Sequence, residues 1–318
     1  MMTVSKPVSP DLVVAGKVFR AATIRDEEWL EGEVIADPEA LVSSLRSARR
    51  ADIFSFARPL PECEPRYNFH FEWDNVAVAN LAKGFKPWWE GLPQETRKNV
   101  RRSQRRGVTV SRVEFNDDLV RGISNIYNET PLRQGRKFPH YRKSLERVKA
   151  ENATYLDRGV LIGAFFEGKL IGFIKMVRVN GLARIMQIVS LDAHTDKRPT
   201  NALLAKAVEI SCEQQATHLI YGKYVYGTKE NSPVTEFKRR NGFERLNYPR
   251  YFVPLTRTGA LAIRCRLHLG LAKIIPEGVT NLYLSARAAI YRRRFGLQEG
   301  LQDAAEPKVP VGNSSGNA

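Results

Sequence analysis

Residues 160–191 read VLIGAFFEGKLIGFIKMVRVNGLARIMQIVSL, three apolar runs broken only at Glu167-Gly168 and Asn180-Gly181. The runs at 160–166, 170–179 and 183–191 are too short and too rich in β-branched and aromatic residues for helices, so each is predicted as a strand. Asn-Gly supplies the positive φ values of a tight hairpin turn, and the three strands therefore run antiparallel. Downstream, a helix is predicted over 199–215, where Leu203, Ala207 and Ile210 beside Leu204 and Val208 form one apolar stripe. A strand at 218–225, a short helix at 234–241 stopped by Gly242, and a final strand at 248–255 follow. Upstream, Val108, Val110, Val113 and Phe115 suggest a first strand, after which Asn116 or Asp117 caps a helix carrying Leu119, Val120, Ile123, Ile126 and Tyr127. The polar loop 131–137 then leads to a second helix with Tyr141, Leu145 and Val148 on one side. The order β-α-α-β-β-β-α-β-α-β implies an α/β (α+β) fold with a mixed, mostly antiparallel sheet flanked by helices.

Outside this stretch the pattern weakens. Prolines are scattered through the first 65 residues, so 1–90 is expected as an irregular extension with one short helix near 38–50. Residues 91–106 form a basic helix, 107–255 the main domain, 256–302 a helical basic extension, and 303–318 have the composition of a disordered tail. The net charge of +16 is concentrated in two places, at Arg97, Lys98, Arg101, Arg102, Arg105 and Arg106, and again between Arg257 and Arg294. Such patches attract coenzyme phosphates, nucleic acid or acidic lipid headgroups. The longest apolar run falls far short of the roughly 20 residues of a membrane-spanning helix, and the start lacks a secretory h-region, so a cytoplasmic location is expected, with peripheral contact at the inner membrane face as the alternative. Cys63, Cys212 and Cys265 are too widely spaced for a disulfide framework, and no histidine lies at i, i+4 beside a carboxylate, so no metal is expected.

Two strings carry a resemblance. Residues 97–108, RKNVRRSQRRGV, are similar to the basic helix that leads into a GNAT-like domain of FemAB-type proteins, and 237–244, FKRRNGFE, resemble both the late GNAT motif and the FemAB "FK…GF" variant. With the element order, these make the chain look like the GNAT acyl-CoA N-acyltransferase superfamily and its FemAB-related branch, over about half of its length. The resemblance implies transfer of an acyl group from acetyl-CoA or another acyl-CoA to an amine, in a gap where the fourth strand splays from the fifth. The matching stretch runs from Ile188 to Asn201, so Ile188, Val189, Ser190, Leu191, Thr200 and Asn201 are expected along the cofactor. A helix N-terminus receives phosphate because its first N–H groups lack intrahelical partners. The glycine-bearing phosphate turn of the family is replaced by residues 192–201, which contain no glycine, and Lys197 and Arg198 supply charge in its place.

Attack of an amine on a thioester needs a base, an N–H donor for the carbonyl oxygen and an acid for the departing thiolate. The oxyanion donor would be a backbone N–H of the strand at 184–191. Aligning Gly242-Phe243 puts Lys238 where many family members carry an acidic Tyr, so the candidates for chemistry are Tyr224 and Tyr226, with Glu230 as base. Each competes with a packing role. Arg133, Gln134, Arg136 and Lys137 lie where the resemblance places the acceptor and suit an anionic one, whereas a solvated loop is the plain alternative. Gln187 interrupts an apolar strand and faces either the core or the substrate. Two rival functions stay open: a FemAB-like transferase using aminoacyl-tRNA on a cell-envelope precursor, and an inactive module binding nucleic acid or anionic membrane through 97–106 and 287–294.

Overall fold

A computed structural model of the chain describes residues 10–133, 136–227 and 232–269. In chain order they form β1 (Leu12–Ala15), β2 (Ala21–Ile24), α1 (Pro38–Ala48), β3 (Ile53–Ala57), β4 (Phe71–Asn80), α2 (Phe85–Gly91), α3 (Gln94–Arg105), β5 (Thr109–Val113), α4 (Asp117–Asn128), the small hairpin β6 (Leu132–Arg133) and β7 (Arg136–Lys137), and α5 (Leu145–Asn152). Then follow β8 (Gly159–Phe166), β9 (Lys169–Val179), β10 (Leu182–Ser190), α6 (Pro199–Glu213), β11 (His218–Ile220), α7 (Pro233–Arg240), β12 (Glu244–Pro254) and α8 (Arg257–Arg264).

Ten strands make one sheet in the order β1-β2-β3-β12-β4-β11-β10-β9-β8-β5. The predicted meander is present: β8, β9 and β10 are antiparallel, and Asn180 and Gly181 take φ of 52° and 74° at the turn between the last two. Asn116 caps α4 by accepting the Leu119 N–H at 2.9 Å, and Ser144 and Ser232 cap α5 and α7 in the same way. One face of the sheet is covered by α2, α3 and α6, whose Trp88, Val100, Leu203 and Val208 join Ile174 and Ile185 in the main core. On the other face α4 and α5 cover the β8–β9 end through Ile123, Tyr127 and Val148. The remainder of that face is covered by the segment from Ile24 to Ile35 and the residues following β3.

Two expectations change. The lead-in expected to be irregular holds four strands, and β4 lies inside the sheet between β12 and β11. Its Asp74 and Asn75 interrupt the apolar pattern and hide the strand, but both are satisfied internally. Lys223 Nζ donates to Asp74 at 2.8 and 2.9 Å, and Asn75 Oδ1 accepts the Val225 N–H at 2.8 Å. The strand expected over 218–225 stops at Ile220. Tyr221 and Gly222 bond instead to Ala77 of β4, with Gly222 at φ 52°, and carry the chain away from β10. Of the basic extension, α8 is helical as expected, while residues 270–302 and the tail at 303–318 lie outside the described residues.

Candidate active site at the divergence of β10 and β11

The parallel strands β10 and β11 pair at two positions only, Ala183 with Leu219 and Arg184 with Ile220. Beyond them β10 continues to Ser190 bonded to β9 alone, so its other edge offers unpaired backbone groups to whatever lies in the gap. The register against β9 slips between Ile185 and Gln187, which leaves Met186 as a bulge at the mouth of that gap. Side-chain parity reverses there. Ala183 and Ile185 face α6, and so does Ile188, whereas Gln187 is turned to the opposite face.

Gln187 is held on that face. Its Oε1 accepts from the Tyr127 hydroxyl at 2.6 Å and its Nε2 lies 3.3 Å from His140 Nε2. Glu151 takes both Lys143 (2.6 and 2.8 Å) and Arg147 (2.7 Å) behind the histidine. Lys175, opposite Gln187 in β9, donates to Thr154 at 2.7 Å and to the Glu151 carbonyl at 3.2 Å, and burial lowers its ammonium to about 8. Burial also pushes the Tyr127 phenol up to about 12 and the His140 imidazole down from its usual value. The sequence offered no periodicity linking these residues, since they come from six separate elements and loops.

On the other side of the gap, Tyr226 lies with its hydroxyl over Gly222, about where a Cβ on that glycine would meet it at 3.2 Å. Its ring is half exposed. Packing around its hydroxyl raises the phenol above its ordinary value, Glu28 adds to the rise, and a backbone hydrogen bond at Lys223 opposes it. Tyr224, by contrast, packs against the main core, and its carbonyl accepts from Thr235. Glu230 lies outside the described residues. Lys238 is fully buried beneath this loop, donating to the carbonyls of Tyr221 at 2.8 Å and Lys223 at 2.5 Å, with its ammonium 4.3 Å from the Tyr221 ring centre and 5.1 Å from that of Tyr226. Burial lowers it to about 8.

The stretch expected to follow the cofactor is at the open end of β10. A short 3-10 turn, Asp192–Lys197, leads to α6, and Arg198 makes the corner at φ 55°, a left-handed conformation that glycine adopts without strain. Thr200 and Asn201 lie in the first turn of α6, Thr200 sharing a 2.9 Å hydrogen bond with Ser190 and Asn201 donating to Asn241 at 3.1 Å. Lys197 sits 4.6 Å from the Phe166 ring centre beside Asp196, which also receives Arg106. Ile188 and Leu191 are packed against the main core, and Val189 turns to the α4 side.

Four residues were expected at the acceptor. Arg133 is committed elsewhere: it donates to the carbonyls of Ser190 (2.8 Å) and Ile126 (3.2 Å) and to Glu129 (3.0 Å), while its guanidinium lies 4.8 Å from the Phe138 ring centre. Glu129 in turn accepts the N–H groups of Asp192 and Ala193, so the pair fastens the hairpin loop to the end of β10. Arg136 and Lys137 are exposed on β7, and Gln134 lies outside the described residues. Near the start of β10, on the face opposite α6, is a cavity of about 50 Å³ lined by Glu27, Glu28, Arg58, Arg184, Tyr248 and Arg250 among others. Sequence reading missed it, because three of these residues, Glu27, Glu28 and Arg58, belong to the segment read as irregular.

No family model and no curated protein matches the sequence. Solved structures do match in shape. FemX superposes with a TM-score of 0.55 at 10% identity, covering 80% of this chain and 86% of that one. The fold is GNAT-like, of the kind seen in FemX. L-PGS from Bacillus licheniformis gives a TM-score of 0.52 at 13% identity over 83% of this chain and 86% of that one. The C-terminal domain of a candidate lysylphosphatidylglycerol synthetase from Agrobacterium fabrum gives 0.52 at 13% identity over 80% and 84%. The likeness in shape thus extends well beyond the half of the chain that the sequence motifs covered.

Proposed function

We propose that the chain is an acyltransferase in which an activated acyl group, carried by acyl-CoA, enters the gap between β10 and β11 and is taken by an amine. The observation that carries this reading is the two-position pairing of those strands with the Tyr226 hydroxyl set over Gly222 at the point of divergence. In this reading the free edge of β10 beside Met186 donates an N–H to the carbonyl oxygen as charge develops on it. Tyr226, protonated at neutral pH, passes its proton to the departing thiolate and regains one from the nitrogen of the newly acylated amine, and Lys238 keeps positive charge under the same loop. Lys197 and Arg198, with the first N–H groups of α6 at Thr200 and Asn201, receive the coenzyme phosphates. The amine approaches from the face on which Gln187 is fixed, with Arg136 and Lys137 available to an anionic acceptor. Titration calorimetry with CoA and acetyl-CoA at low and moderate salt tests the donor. Binding that persists at moderate salt is expected, and loss of all binding with salt would remove acyl-CoA from the scheme.

A second reading draws on α3. Lys98, Arg101 and Arg105 are exposed along it, and the helix packs on α6 beside the open end of β10. The similar structures include a lysylphosphatidylglycerol synthetase candidate, and an aminoacyl-tRNA donor with a lipid or envelope acceptor would use such a cationic face. Charged tRNA then binds with an affinity falling steeply with salt, and Arg101→Ala with Arg105→Ala flattens that slope. No helix among the described residues is long and apolar enough to cross a membrane.

A further inference from the structure

Far along the sheet from the gap, two residues at the start of β4 meet a histidine brought from the end of the described chain. His70 and Glu72 are two residues apart in extended backbone, so their side chains leave the same side. Phe252 of β12 donates its N–H to the His70 carbonyl at 2.8 Å, which fixes this end of β4. His268 lies in a short 3-10 turn, Leu267–Leu269, just after α8. Its Nε2 is 3.8 Å from Glu72 Oε1, and His70 Nε2 is 3.5 Å from the same oxygen. One ligand atom from each of the three residues lies within 4.8 Å of the others. Residue spacing alone keeps this trio apart, because 196 positions separate Glu72 from His268 (268 − 72).

A second observation singles out His268. Its side chain is 2% exposed, wedged against Phe252 at 4.5 Å and edge-on to His70 at 5.9 Å between ring centres. Neither ring nitrogen has a partner in hydrogen-bonding geometry. A buried polar group without a partner carries an uncompensated desolvation penalty, so the ring is placed where something outside the chain would complete it.

We propose that His70, Glu72 and His268 bind one divalent transition-metal ion of the zinc class, through the two Nε2 atoms and the Glu72 carboxylate. Bonds of about 2.0–2.2 Å at tetrahedral angles set ligand atoms roughly 3.4 Å apart, so the observed 3.5 and 3.8 Å separations need only small side-chain shifts. Two imidazoles and one carboxylate suit zinc over magnesium or calcium, which prefer all-oxygen shells. A fourth position is left for water or another donor. The ion would fasten the turn after α8 to the start of β4, a structural staple independent of the acyl-transfer reading.

The test uses the untagged full chain, stripped with chelator and then titrated with Co²⁺ and, in competition with a chromophoric chelator, with Zn²⁺. One equivalent of Co²⁺ is expected to raise visible ligand-field bands of four-coordinate intensity. Glu72→Gln and His70→Ala, at positions that are not fully buried, are each expected to weaken Zn²⁺ at least roughly ten-fold. His268→Ala should abolish the band, and His218→Ala on β11 should leave it intact. Circular dichroism of each metal-free variant separates lost binding from lost folding. Absence of the band at one equivalent, or unchanged Zn²⁺ affinity in folded Glu72→Gln and His70→Ala, overturns the site.

Discussion

At Ala183 and Arg184, β10 is hydrogen-bonded to strands on both sides, whereas from Gln187 to Ser190 it keeps only β9. The same strand thus serves as sheet interior for its first half and as a half-open edge for its second, with Met186 bulged between them. An unpaired central edge is a liability unless something occupies it. Here the neighbouring chain turns toward β4 at Gly222 rather than ending, so the opening is built by backbone hydrogen bonds to Ala77 and not by a lack of strand. The comparison predicts that substitutions in the paired half cost stability and those around the open half cost turnover.

The largest effect is expected on the open side. Tyr226→Phe should lower kcat by about 10²–10⁴-fold, the usual worth of a positioned proton donor, with an unchanged melting temperature. Equal turnover in the variant would remove Tyr226 from the reaction. In the paired half, Ile185→Ala should destabilise the fold by about 2–5 kcal/mol in urea titration, because the side chain is buried in the main core. A smaller effect is expected where β10 meets α6: Lys197→Ala with Arg198→Ala should weaken CoA roughly ten-fold or more, while Arg101→Ala with Arg105→Ala should not alter it.

The smallest effect sharpens the comparison through pH. Lys175 and Lys238, on opposite sides of the gap, each titrate at about 8 when folded against 10.5 ordinarily. Between pH 8 and 10 the unfolded chain therefore holds more protons than the folded one, and stability rises with pH across that window. Below pH 8 both states are protonated and the gain is absent. Denaturant midpoints at pH 7.5 and 9.5 should differ in that direction, and Lys238→Met should reduce the difference.

The meander and the helices around it were legible because their signals are local: an Asn-Gly turn, a cap at Asn116, and an apolar stripe along α6. The strands before residue 90 were not, since β4 carries Asp74 and Asn75 inward and satisfies them largely through Lys223 and Val225, which are 149 and 150 positions away. For the same reason Arg133 reads as an acceptor ligand in sequence and is a tie between Glu129 and Ser190 in the fold. Polar residues committed to distant partners look, in one dimension, like free ones. The fold puts Tyr226 and the start of α6 beside the gap, but the Tyr127–Gln187–His140 network could be assembled only in three dimensions.

Strand β12 has a further consequence for how the molecule comes into being. It lies between β3 and β4, so the unit of β1, β2 and β3 joins the rest of the sheet only through residues 244–254. A growing chain emerges from its N-terminus, and for most of synthesis β3 and one side of β4 expose edges with no partner. Contacts of such long sequence separation form slowly. The nascent chain must therefore hold two sheet fragments apart from each other, and from other chains, until β12 slides between them and joins the two into one sheet.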